Sequence, residues 1–399
     1  MALGHPALPM LNVLRACRAA EKLNEAETRT PPPLLTRSKI MKKWNIVGMA
    51  AACGIAAITF HAYAADKLKI GFIYVGPIGD LGWSYQHDLG RKQIEKELGD
   101  KVETTYLENV PEGADAERSI EQLARTGHKL IFTTSFGFMD ATLKVANKYP
   151  NVFFEHATGF KRAKNMSTYA ARFYEGRYIQ GQIAAKMSKT GTIGYIVSFP
   201  IPEVISNINA TMLGAQSINP NMKVKIVWVN SWFDPGKEAD AAKALVDQGA
   251  DILTQHTDSP AATQIAEQRG IHSFGESTDM IKFGPKAQLT ADTDYWGGYY
   301  TKRAKDALEG KWQSEDTWGG LDSGMVVMAP YTNMPDDVKK MAKDTEESIR
   351  SGKFHPFKCP VMDQDGKTVE CKGGDRLSNE QILSMNWYVK GIDDKIPGK

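Results

Sequence analysis

The sequence predicts an α/β protein of two similar lobes, each built on a parallel sheet. Three observations carry this. From Lys67 onward, short apolar runs alternate with stretches of helical periodicity, as strands and crossover helices do. The series runs through twice, each pass taking about 100 residues. The segments after the apolar runs (GPIGDLGW, SFGF, EHATG, SFPIPE, NSWFDPG, HTDSP and GESTD) are rich in acids and aromatics. In parallel sheets ligands gather at these carboxyl ends of the strands.

In order, LKIGFIYV reads as the first strand, Trp83 to Leu98 as a helix, and VETTYL (102–107) as a strand. Ala116, Ile120, Leu123 and Ala124 then recur at helical spacing. KLIFTT is a strand, DATLKVANKYP a helix, and NVFFEHA a strand. The second series opens with a helix from Tyr174 to Met187, then the strand TIGYIVS and a helix over Asn207 to Ser217. KVKIVWV (223–229) is a strand, Lys237 to Gln248 a helix, DILTQH a strand, AATQIAEQRG a helix and IHSFG a strand.

The start of the chain reads differently. Residues 1–40 contain TRTPPPLLTRSK and no apolar periodicity, so they read as an upstream extension outside the native fold. Met41 then opens a leader: Lys42 and Lys43, an apolar stretch from Ile46 to Phe60, and the small-x-small site Ala62-Tyr63-Ala64. Residues 41–64 are therefore expected to be a signal peptide, with a mature start near Ala65. Cys53 after three alanines only faintly resembles a lipid-attachment box, because the apolar stretch continues beyond it. Cys359 and Cys371 flank PVMDQDGKTVE, whose Asp-Gly turn lies between two short arms. In an exported chain a disulfide across that hairpin is expected.

Composition excludes some partners. A 399-residue chain with 42% hydrophobic and 24% charged residues can build real cores, and its net charge of +2 comes from interspersed acids and bases. Without a basic run interleaved with aromatics, nucleic acid is not an expected partner. The chain contains no GxSxG elbow, HExxH pair or Walker loop, and Gly76, Gly79 and Gly82 are not spaced as GxGxxG. No cofactor and no catalysis are expected.

Binding residues are better marked. Trp83 and Trp232 each follow a strand, one in each series, and two indoles from opposed lobes can sandwich a flat heterocycle. Asp80, Asp258 and Glu276 supply acceptors for ring or exocyclic N–H groups, although such acids also serve as helix N-caps. Phe136, in SFGF, adds an aromatic. His156 and His256 sit at strand ends, as site-liners or as ordinary loop histidines.

The order GDLGW-S, FGFMDATLKVANKYPNVFFE, YEGRYIQGQIAAKM, IPEVISNINATMLGA and FDPGKEADAAKALVDQGADILTQH resembles the basic membrane protein family over nearly all of Lys67 to Ile392. These are the solute-binding components of ATP-driven importers, several of them for purine nucleosides. The resemblance implies a type I periplasmic-binding fold, two Rossmann-like parallel-sheet lobes joined by a three-crossing hinge. It adds Ser84 to Asp80 and Trp83, Glu155 at the end of NVFFE, and Glu276 at a position associated with sugar hydroxyls. It also implies a monomer that works with a membrane permease. Two departures stand out. LTADTDYWGG has Ala291 and Asp294 near the positions of a serine and a ribose-reaching lysine, and Glu276 replaces an aspartate. Both point to an altered ribose half and a free base such as adenine.

The expected organisation is 67–165 with about 295–320 as one lobe, and about 166–294 with about 321–399, including the hairpin, as the other. The expected function is capture of a purine base in the periplasm by hinge closure, for an ABC importer. A nucleoside-binding protein of the same class, a nucleoside hydrolase using Asp80, Glu155 or Glu276, and a periplasmic sensor domain are the alternatives.

Overall fold

A computed structural model describes residues 66–79 and 81–398. The upstream extension, the leader with its cleavage site, Cys53 and Asp80 lie outside the described residues.

The first series runs β1 (Leu68–Ile73), α1 (Trp83–Leu98), β2 (Val102–Leu107), α2 (Ala114–Arg125), β3 (Leu130–Thr133), α3 (Met139–Lys148), β4 (Phe153–Ala157) and β5 (Met166–Ala171). The second runs α4 (Tyr174–Met187), β6 (Thr192–Val197), α5 (Pro202–Gln216), β7 (Lys223–Trp228), α6 (Pro235–Asp247), β8 (Ile252–His256), α7 (Ala261–Arg269), β9 (His272–Ser277) and β10 (Gln288–Asp294). The chain closes with α8 (Gly297–Leu308), β11 (Asp316–Gly319), β12 (Val326–Met328), α9 (Asp336–Arg350) and α10 (Asn379–Leu383).

The described strands form two six-stranded sheets, ordered β2-β1-β3-β4-β5-β11 and β7-β6-β8-β9-β10-β12. Every pairing is parallel except that of β10 with β12 at the edge of the second sheet. Central strands such as β6 and β8 are buried along their whole length, which is why they read as continuous apolar runs. Helices cover both faces. Ile120, Leu123 and Val145 pack on one face of the first sheet, and Leu245 and Ile265 on one face of the second. In the second lobe α4 and α5 lie very close: a Cβ on Gly181 would strike the Thr211 carbonyl, and one on Gly214 that of Tyr178. Only glycine permits that approach.

Three crossings join the lobes: β5 to α4, β10 to α8, and β11 to β12. The fold is thus of the type I periplasmic-binding kind. Its first lobe runs past the expected boundary at residue 165, because β5 pairs in parallel with β4 along Met166–Tyr169. MSTYAA has too little apolar character to announce a strand. Helix α8 returns to the first lobe and packs on α1. The helix expected from Asn207 begins at Pro202, with proline at the first helical position.

Cys359 and Cys371 are joined by a disulfide, with Cα atoms 6.5 Å apart. The hairpin between them is minimal, held by the Met362–Thr368 bridge and a turn at Gly366. Among the described residues no helix is long and apolar enough to cross a membrane.

Candidate functional site

The carboxyl ends of the two sheets face each other across a cleft. Between them lies a small cavity of about 30 Å³ in this closed form. The first lobe contributes Val75, Trp83, Ser135, Phe136 and Thr158. The second contributes Ile201, Glu203, Trp232, His256, Asp258, Glu276 and Ser277.

Trp83 opens α1, directly after Gly82, whose φ of 81° favours glycine. Its indole N–H donates to the Thr134 carbonyl, and its ring stands edge-on to His87, Phe173 and Trp296. The ring is therefore fixed on its own lobe while still forming cavity wall. Trp232 is placed by the loop after β7 and leans on Phe199, with ring centroids 5.1 Å apart.

The lobes touch directly. The Gly82 amide donates to the Thr278 hydroxyl at 3.1 Å, and that hydroxyl donates to the Gly82 carbonyl at 3.2 Å. Trp232 Nε1 donates to Glu112 at 3.1 Å. A side chain at 82 would strike the Asp258 backbone, so glycine is needed for this approach as well as for its φ. The cleft is in its closed geometry.

The polar end of the cavity is a buried charge cluster. Arg177, from the YEGR segment of α4, is fully buried; it ion-pairs with Glu276 and sits 3.0 Å from the Asp292 carboxylate. Its Nη1 donates to Thr254 at 3.1 Å and to Gln180 at 3.2 Å. Burial pushes the Glu203 carboxyl up to about 8, with Arg177 opposing. Burial also raises Asp258 well above the usual carboxylate range, with Glu238 adding to the effect. His256 is driven down to about 3 by burial and then by Arg177, so its ring is neutral. Asn207 Nδ2 lies 3.2 Å from His256 Nδ1; with the amide as donor, the ring proton sits on Nε2, 3.7 Å from Glu203. Near neutral pH, Glu203 is thus a carboxylic acid that offers one O–H donor and one carbonyl acceptor, and burial biases Asp258 the same way. The edge of a nitrogen heterocycle asks for that mixed pattern.

Of the residues marked in the sequence, Trp83, Phe136, Trp232, Asp258 and Glu276 meet in the cavity. Ser84 does not line it: its hydroxyl accepts the Gly76 amide at 3.1 Å and shapes the loop behind Trp83. Glu155 is a correction. It is fully buried inside the first lobe, accepting from Arg303, Trp312 and Tyr299 at 2.6 Å each. Of the two histidines His256 lines the cavity, whereas His156 is buried against Thr133. Glu203 and Arg177 were not singled out from sequence. The acid after Pro202 at a strand-to-helix turn was the available signal for Glu203.

Residues 67–354 match the family profile described as Bmp, ABC transporter substrate-binding protein PnrA-like. The chain is 63% identical over 336 residues to a purine-binding protein of Brucella abortus, covering 84% of this chain and 96% of that one. It is 36% identical over 333 residues to a Haloferax volcanii ABC transporter protein described as glucose-binding, covering 83% and 82%. Among solved structures, a solute-binding protein of an ABC transporter system from Aeropyrum pernix K1 superposes with a TM-score of 0.64 at 19% identity, over 73% of this chain and 93% of that one. That likeness concerns the fold.

Proposed function

The chain belongs to the Bmp family of PnrA-like ABC transporter substrate-binding proteins, and from that premise we propose that it captures a free purine base, adenine-like, by hinge closure. The observation that carries this reading is the small cavity itself, walled by Trp83 and Phe136 from one lobe and by Trp232, Asp258 and Glu276 from the other. In the open form the base docks on one lobe. Closure brings the second aromatic over it and excludes water, which strengthens the polar contacts. Asp80, in the loop before Trp83, is proposed as a further acceptor, and Glu203 as a donor to a ring nitrogen.

A base is favoured over a nucleoside for two reasons. Glu276 is tied to Arg177, so its carboxylate is already engaged at the end where sugar hydroxyls would need partners. The lysine-free strand β10 contributes no residue to the cavity lining, and its Asp292 and Asp294 are buried. Each hydroxyl buried without a partner costs about 1–3 kcal/mol. The purine-binding relative supports the purine class. After removal of a leader at 41–64, the mature protein works in the periplasm and presents its closed lobes to a membrane permease.

Calorimetry with adenine, adenosine, hypoxanthine and inosine tests the reading. Adenine is expected to bind more tightly than adenosine. Adenosine binding tenfold better would overturn the choice of base, and release of base from nucleoside would overturn a purely binding role.

A further inference from the structure

The cavity continues beyond its own walls. Phe136, Thr158, Ile201 and Glu203 are shared with a second, roomier chamber of about 150 Å³, which reaches toward the first and third crossings. Its lining is largely apolar, with Phe160 and Trp318 from the first lobe, Ile201 and Pro202 from the second, and Ile382 and Leu383 from α10. Phe160 is 66% exposed and Leu383 50% exposed, so both present apolar surface at the rim of the chamber.

The wall supplied by α10 is firmly built. It lies outside the 67–354 stretch matched by the family profile, yet it packs directly on α5. A capping box between Ser378 and Gln381 fixes its start. Asn209 of α5 donates to the Trp387 carbonyl at 2.8 Å and accepts the Val389 amide at 3.0 Å, pinning the segment that follows. The chamber thus has a rigid apolar wall made by a part of the chain beyond the common family core.

We propose that this chamber is a second subsite, which receives an apolar arm carried by the purine whose ring lies between Trp83 and Trp232. The inference rests on the purine reading above. Glu203 stands at the junction of the two spaces, where it can bond an N–H that links ring to arm. Each methylene moved fully from water into such walls strengthens binding roughly fourfold.

The test compares adenine with N6-benzyladenine and 9-benzyladenine by calorimetry on the mature protein and on Leu383→Asp. One benzyl isomer should bind about tenfold tighter than adenine. Leu383→Asp should remove that gain while changing adenine affinity less than twofold. If neither isomer binds more tightly than adenine, the chamber is only the mouth of the cleft and the proposal falls. A gain that survives Leu383→Asp places the arm elsewhere and overturns it equally. Absence of binding by every purine overturns the functional reading itself, and this inference with it.

Discussion

Trp232 of the second lobe donates its indole N–H to Glu112 of the first, 3.1 Å away. The same Glu112 oxygen accepts from Ser135 at 2.5 Å and from the Gly137 amide at 3.1 Å. It is a fixed acceptor, waiting for the other lobe. Trp232 therefore serves both as cavity wall and as part of the contact that holds the cleft shut.

Replacing Glu112 by alanine should leave the ring in place and weaken closure. A single hydrogen bond at a partly exposed site is worth about 0.5–1.5 kcal/mol. Ligand dissociation should accordingly speed up roughly three- to tenfold, as stopped-flow fluorescence would show. An unchanged rate would mean that the Gly82–Thr278 contacts alone hold the lobes.

Trp83→Ala and Trp232→Ala should each raise the dissociation constant for adenine roughly tenfold or more, from stacking worth about 1–3 kcal/mol. Trp232→Phe keeps a ring but loses the donor, and should resemble Glu112→Ala. Wild-type affinity in both alanine variants would refute the sandwich.

Arg177→Met should lower stability by about 3–5 kcal/mol, because Glu276 and Asp292 lose their cation while staying buried. The deficit should shrink in acid. Burial already raises the Asp292 carboxyl to about 6 against the opposing guanidinium; without Arg177 it holds a proton that the unfolded chain releases, so stability falls as pH rises. Denaturation at pH 5 and pH 8 measures this, and an equal deficit at both would assign the loss to packing.

Glu203 titrates near pH 8 against an ordinary value of 4.5. The native state keeps a proton that the unfolded chain gives up. The contribution of this group to stability is therefore complete below pH 4.5, declines as pH rises, and levels off once Glu203 ionises. If the protonated form donates to the ligand, adenine affinity should drop between pH 7 and pH 9. Glu203→Gln should flatten that profile, and an unaltered profile in the variant would show that another group titrates.

Much of this was legible in the sequence because buried parallel strands announce themselves. LKIGFI and TIGYIV appear where expected, and α1 spans Trp83–Leu98. Trp83, Phe136, Trp232, Asp258 and Glu276, which meet in the cavity, were marked by one rule, that the segments after strands line the cleft. Glu155, which the family resemblance added, does not join them. A strand-end acid can point to either face of the sheet, and this one points toward α8, whose Arg303 and Tyr299 come from some 150 positions later in the chain. Glu203 escaped notice for the opposite reason: an acid after proline reads as an ordinary helix start, and nothing local tells that Arg177 and His256 will surround it. Strand β11 is short, both β5 and β11 are partly polar, and only their partners in the sheet define them.

The three crossings leave neither lobe contiguous in the chain, and this bears on how the protein is made. The first sheet cannot acquire its edge until residues 316–319 have been synthesised, and Glu155 has no counter-charge until Arg303 follows. The second sheet must likewise wait for β12 at its own margin. A polypeptide stopped near residue 290 would hold a sheet with an open edge and a buried acid without its cation, a state prone to association. Neither half can settle before nearly the whole length is available.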